Sequence, residues 1–345
     1  MLIFAMNNLF AQVVTEFWDQ AQTKKKSEQQ MKEGMQDGKY TAWYENGEIA
    51  KEGSYVKGKE NGKFMFYYAG KKPKAEENYA AGEKSGPWRY WYINGNKAQE
   101  TFFKNNRPDS TWTGWYENST LKSTENYKAG KKEGTWTYYY ANGKKESEGN
   151  FKNNLPEGMY TGWFSDGTKQ KEGEYKAGKE VNSWKEWFRN GKPKQELVYK
   201  DNDVLLMNLW LETGEQIIKD GNGKFIMAYD NGKKKGEGYY KDGWIDGEWI
   251  FYTPSGEKDY KVTYVKGKKN GECINWFKNG NIKSQGPFVD DKKNGYWKWY
   301  REEGTLMMEG LLMNEIRTGT WVYWYTNGKK ESVGNYKDDL QDSTW

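Results

Sequence analysis

The sequence contains no histidine and a single cysteine, Cys273, in 345 residues. Without histidine there is no Ser-His-Asp or Cys-His catalysis and no imidazole-bound metal. One cysteine excludes an intramolecular disulfide and a cysteine-based zinc site. Aliphatic residues are scarce as well. Hydrophobic residues make up 35% of the chain, mean hydropathy is −1.16, and no stretch beyond the N-terminus is long and apolar enough to span a bilayer. No Gly-x-x-x-x-Gly-Lys-Ser/Thr loop opens a helix. Such values border on those of disordered chains. The aromatic fraction of 17% points the other way. The apolar surface is concentrated in rings, which suits a thin sheet without a deep core.

What the sequence has is a repeat. Its clearest copy is Gly134 to Gly158. Taking Trp136 as an anchor, steps of 24 residues give Tyr40, Phe64, Trp88, Trp112, Trp136, Tyr160 and Trp184. After one irregular unit the comb resumes at Phe225, Trp249, Cys273, Trp297, Trp321 and Trp345. Cys273 therefore reads as a packed substitute for tryptophan. A fixed period of this length marks a repeat architecture. Length alone would suggest about two or three domains, but a repeat array grows in one dimension, each unit touching its neighbours.

Within a unit, Trp136, Tyr138 and Tyr140 lie two apart, so a strand places them on one face and Tyr139 on the other. A breaker follows: Asn46-Gly47, Asn94-Gly95, Asn142-Gly143, Asn190-Gly191, Asn231-Gly232, Asn279-Gly280, Asn327-Gly328. Asn-Gly between strands predicts a two-residue type I′ hairpin with φ > 0 at both residues. The second strand carries Glu-Gly-x-aromatic, as in Glu52-Gly53-x-Tyr55 and Glu148-Gly149-x-Phe151. Its glycine is expected to let a large ring from the neighbouring strand lie over bare backbone. A second turn pivots on Gly, Asn or Asp (Gly58, Gly82, Asn106, Gly130, Asn154, Gly178, Asn202, Gly243, Gly267, Asp291, Asp339), residues that tolerate the left-handed region. Two turns per unit leave two strands of about six to eight residues. The predicted fold is all-β: an elongated, twisted antiparallel meander of tandem 24-residue hairpins.

Residues 1–11 (Met-Leu-Ile-Phe-Ala-Met-Asn-Asn-Leu-Phe-Ala) read as a shortened signal peptide, an apolar stretch with a small residue before Gln12 but no basic start. That predicts export, to the periplasm, the outer membrane or the medium. No cysteine lies nearby to anchor a lipid. Residues 12–37 read as a degenerate first repeat, residues 38–202 as seven regular units, and residues 203–222 as a short irregular unit that acts as a joint. The irregular unit is seven residues short and holds Val204-Leu205-Leu206-Met207 and Ile217-Ile218. Residues 223–345 hold five further units and the start of another, which stops at Trp345. An open sheet edge invites pairing, so that stop implies either a continuing chain or a partner that covers the edge.

Lysine plus arginine number 54 against 49 acidic residues, a net charge of +5. Many lysines sit at turns, where they give solubility and protect edges. The sharper reading is a basic rim that meets phosphate or anionic lipid. The mixed signs exclude a nucleic-acid channel. Glu52, Glu148, Glu172 and Glu237 recur at one position of the repeat, whereas a catalytic pair would be singular and local; no enzyme is predicted, and no cofactor. One column offers a candidate binding strip, on the face opposite the anchors: Trp43, Trp91, Trp115, Tyr139, Trp163, Trp187, Trp276 and Trp324, with Tyr67, Tyr252 and Tyr300 in register. The plain reading is that twist and lysine stems cover it. The functional reading is an aromatic strip for a protein strand or an envelope glycan.

The unit Gly-x-Trp-x-x-Tyr-Tyr-x-Asn-Gly-Lys followed by Glu-Gly-x-Tyr-x-x-Gly-Lys-x-x-Gly resembles the bacterial variant of the MORN repeat, as found in YwqK-type antitoxin-like proteins. The resemblance covers about residues 26 to 345; residues 203–221 depart from it. The aromatic-Gly hairpins resemble choline-binding wall repeats less well. The MORN resemblance implies a twisted rod of hairpins that binds or scaffolds, with links to membrane association and protein assembly. The YwqK likeness implies toxin neutralisation, which would place the protein in the cytoplasm or beside its toxin. The shared motif residues are structural, so no functional residue carries over. A protein partner is expected first, and anionic lipid or envelope glycan after it.

Overall fold

The computed structural model describes residues 12–342; the signal segment read at residues 1–11 and the anchor at Trp345 lie outside them. Among the described residues there is no helix, and the strands pair antiparallel with their chain neighbours. The fold is the predicted all-β meander of hairpins. It divides into two compact units, residues 1–181 and 182–345.

In the first unit, Lys131–Tyr139 pairs with Lys145–Lys152, with Trp136 opposite Gly149 and Tyr138 opposite Ser147. Residues before Met35 already form a hairpin, Gln12–Phe17 with Lys25–Lys32. In the second unit, Gly295–Tyr300 pairs with Leu306–Met313 in the equivalent register, Trp297 opposite Gly310.

The core is the anchor column. Phe64, Trp88, Trp136, Trp184, Trp249, Cys273, Trp297 and Trp321 are all buried. Each buried indole needs a partner for its one donor. Trp136 Nε1 donates to the Asn126 carbonyl (3.0 Å), and Trp297 Nε1 to the Pro287 carbonyl (2.9 Å). The glycines of the Glu-Gly position, where Gln285 precedes Gly286, leave room for these rings. A Cβ on Gly286 would lie 2.5 Å from the Trp297 ring, and one on Gly53, Gly238 or Gly310 would collide with Phe64, Trp249 or Trp321. The ring comes from the following hairpin, so each glycine joins one repeat to the next.

The two turns exchange the roles predicted for them. At Tyr140-Ala141-Asn142-Gly143-Lys144 the Gly143 N–H donates to Tyr140 O and the Tyr140 N–H to Lys144 O, both at 2.9 Å. Only Gly143 has positive φ, and the ladder slips between Tyr138 and Tyr139. This is a three-residue loop with a G1 bulge, not a type I′ turn. Asn142 serves by its side chain instead: Oδ1 accepts from the Lys144 N–H (3.1 Å) and Nδ2 donates to Ser165 O (2.7 Å), one repeat on. The type I′ geometry sits at the second turn, where Asn153 and Asn154 have φ of 52° and 74°. The left-handed pivot is not confined to Gly, Asn and Asp, for Glu315 holds it at φ 74°. The residue before the pivot is left-handed too, even when it is Ala81, Ala129 or Ala177. Hydrogen bonds from the previous repeat hold it there. The Ala129 N–H donates to Asp109 Oδ1 (2.7 Å), and the Gly130 N–H to Pro108 O (2.8 Å).

Within the second unit the strand ladder breaks once. The irregular unit keeps both turns, at Leu211–Glu215 and at Asp220-Gly221. Its second strand, Gln216–Ile218, has 3 residues where Lys145–Lys152 has 8. Three residues cannot template the next strand, so Gly223–Ala228 begins a separate sheet. The turn ladder alone crosses this point: the Gly243 N–H donates to Gly221 O (3.0 Å), and the Gly221 N–H to Met207 O (2.7 Å).

Candidate binding face

The candidate strip lies opposite the anchors, and each of its rings is half-buried. Lysine stems account for much of the cover. Lys97 Nζ stands 5.3 Å over the Trp115 ring and Lys145 Nζ 5.7 Å over Trp163. Lys25 and Lys258 do the same for Trp43 and Trp276, each at 5.6 Å, and each lysine lies 18 residues before its ring. Lys330 covers Trp324 from within the same hairpin (5.6 Å). At the covering position Trp91 has Pro73 and Tyr139 has Leu121 in place of lysine.

Several lysines at the covering position also meet the recurrent glutamate three residues on, whereas Lys258 and Lys330 have Lys261 and Val333 there. Lys97 Nζ is 2.7 Å from Glu100 Oε2, Lys145 Nζ 2.6 Å from Glu148 Oε2, and Lys169 Nζ 2.7 Å from Glu172 Oε2. The glutamate accepts from the next repeat where a tyrosine holds the ring position: Tyr67 OH donates to Glu52 and Tyr252 OH to Glu237, both at 2.7 Å. Arg89 bridges two copies, 2.8 Å from Glu76 and 2.6 Å from Glu100. Lys97 and then Arg89 hold the Glu100 carboxyl below the usual carboxylate range. Lys234, then Tyr252, hold that of Glu237 down at about 2. Burial, followed by the bond to Glu52, pushes the Tyr67 phenol up to about 12. These shifts express ion pairing and hydrogen bonding repeated along the sheet.

The backbone of the strip is fixed from the preceding repeat. Tyr44, Tyr92, Tyr116 and Tyr140 each donate a hydroxyl to the carbonyl of the ring residue 23 positions on: Tyr67, Trp115, Tyr139 and Trp163, at 2.7–2.9 Å. The periodicity of the rings was legible in the sequence. Their lysine covers and hydroxyl fixings join residues 18 and 23 apart, and no local pattern announces them. Among the described residues no group of three His, Cys, Asp or Glu side chains could hold a metal ion, and no helix is long and apolar enough to cross a membrane.

Seven segments match the family described as MORN repeat variant: residues 36–57, 108–129, 132–153, 181–201, 245–266, 269–290 and 317–338. They fall on the hairpins, each running through a first turn to the opening residue of the second, as from Asn142-Gly143 to Asn153. No curated protein matches the sequence. Among solved structures, the TcdB2-TccC3-Cdc42 complex is similar at 10% identity over 95% of this chain and 18% of that one, with a TM-score of 0.17. The Photorhabdus luminescens Tc holotoxin pore is similar at 10% identity over 94% and 18%, again with a TM-score of 0.17. The chain thus spans about a fifth of the length of these structures.

Proposed function

We propose that this protein is a non-enzymatic binding or scaffolding protein that holds another macromolecule, a protein first, along the ring-lysine-glutamate face of its hairpins. One observation carries the reading. The same three-residue group, a ring under a lysine paired with a glutamate, recurs along the face, as in Trp115 with Lys97 and Glu100 and, two repeats on, Trp163 with Lys145 and Glu148. A surface of constant period offers aromatic anchors and both charge signs at regular steps, which suits an extended partner better than a small compact one. The buried anchor column contributes stability.

A pull-down with the purified chain from envelope and soluble fractions tests this, repeated with Trp91, Trp115, Trp163 and Trp187 changed to Ala. A stoichiometric protein captured by the natural chain and lost from the folded variant supports the reading. Capture that is unchanged in the variant removes the face from the function. A nuclease- or deaminase-like partner would make the protein an antitoxin. Retention on wall glycan or anionic vesicles without a protein would make it a surface binder. Export, proposed from residues 1–11, is tested by fractionation of the source cells.

A further inference from the structure

The anchor column is interrupted once. At Trp249, Trp297 and Trp321 a buried indole closes the face; at Cys273 a thiol stands in that place. The next residue on the same face is reduced as well, since Asn275 occupies the position held by Phe251, Trp299 and Tyr323 in other hairpins of the second unit. Both residues line a cavity of about 490 Å³. That volume falls within the ordinary range of small-molecule sites, about 300–1,000 Å³.

The chemistry around the cavity is specific. Tyr260, Phe288 and Trp299 form aromatic walls. Asn275 lines the cavity, its Nδ2 donating to Ser284 Oγ at 2.9 Å. Lys269, Lys283 and Lys293 reach the rim, against one carboxylate, Asp259. Elsewhere the lysine four residues before the anchor rests on the anchor indole: Lys132 Nζ is 4.1 Å from the Trp136 ring, Lys293 Nζ 4.6 Å from the Trp297 ring. Lys269 holds that position before Cys273 with no indole beneath it, and its ammonium stands 5.3 Å from the Phe288 ring and 5.8 Å from the Tyr260 ring. Among the described residues none of the three lysines forms an ion pair.

We propose that this cavity binds a small aromatic compound carrying a phosphate. The flat ring takes the place of the missing indole between Tyr260, Phe288 and Trp299, and the phosphate sits between Lys269 and Lys293. Aromatic walls favour a planar body, and lysine binds phosphate as a point charge. A smaller cavity of about 360 Å³ lies one repeat on, where Trp321 keeps the anchor indole; what distinguishes this site is the thiol in the indole's place, and it does not depend on the macromolecular partner proposed above.

The test is calorimetric titration of the full chain at low ionic strength with phenyl phosphate and with uridine monophosphate, against inorganic phosphate and phenol alone. The expected result is saturable binding of at least one phosphorylated ring, at least tenfold tighter than either control. Tighter binding of the nucleotide identifies a nucleotide site, and tighter binding of phenyl phosphate an aryl phosphate site. Cys273→Trp, which restores the indole, is expected to weaken binding at least tenfold, and Cys273→Ser to leave it unchanged. No saturable binding by the natural chain, or equal binding by Cys273→Trp, overturns the proposal. Should Cys273→Trp fail to fold by circular dichroism, the double change Lys269→Gln with Lys293→Gln decides, and an unchanged affinity overturns it.

Discussion

The hydroxyl of Tyr140 donates to the backbone carbonyl of Trp163 at 2.8 Å, 23 residues on. This bond crosses from one hairpin to the next, so it reports on cohesion between repeats rather than within them. Tyr140→Phe keeps the ring and removes the donor, as Phe164 and Phe188 do naturally at the same position. The expected loss is about 1 kcal/mol, read as a lower urea midpoint with an unchanged slope.

The glycine beneath each anchor ring is a matter of space. Gly286 has ordinary backbone geometry, and a Cβ there would lie 2.5 Å from the Trp297 ring. Gly286→Ala is therefore expected to destabilise by about 1–3 kcal/mol through overpacking, with a changed near-ultraviolet tryptophan signal. Gly280→Ala meets no atom but sits at φ 88°. Its smaller loss, on the order of 1 kcal/mol, should leave that signal intact.

The Glu237 carboxyl, held at about 2 against an ordinary 4.5 by Lys234 and then Tyr252, sets an acid limb of stability. Its folded value lies below its unfolded one, so its contribution is present above pH 4.5 and lost as pH falls towards 2. Glu237→Gln should lower the urea midpoint at pH 6 and flatten its fall between pH 4.5 and 2. Equal slopes for both proteins in that window would contradict the assignment.

Cys273 is 4% exposed, and burial pushes its thiol above the usual range. Thiolate is the reactive form. Labelling by a disulfide reagent at pH 8 is expected to be at least about tenfold slower in the folded chain than in denaturant. Prompt labelling of the folded protein would place the thiol at the surface.

The 24-residue comb, the strand pairs and the ring-over-glycine contact at Gly53 were legible because each rests on a local pattern or a fixed period. The turn types were not. The Asn142-Gly143 dipeptide suits type I′ in isolation, but the ladder closes at Tyr140 and Lys144, one residue wider. Ala129 would not be chosen for a left-handed position, yet Asp109, from the repeat before, holds its N–H. The candidate rings were found by period, and cover by lysine stems was one of the two readings of the strip, but which lysine lies over which ring was not legible. The lysine over Trp115 comes from a different hairpin, and only the fold brings the two together.

The bonds between repeats all run at fixed separations: 23 residues from Tyr140 to Trp163, 22 from Asn154 to Lys132, 20 from Ala129 to Asp109. Together they act as a gauge on chain length. Excising or duplicating a whole 24-residue unit keeps these separations in register among the regular units. Losing a single residue inside a unit displaces all three kinds of bond at once. The architecture therefore tolerates large edits made in whole units and resists small ones.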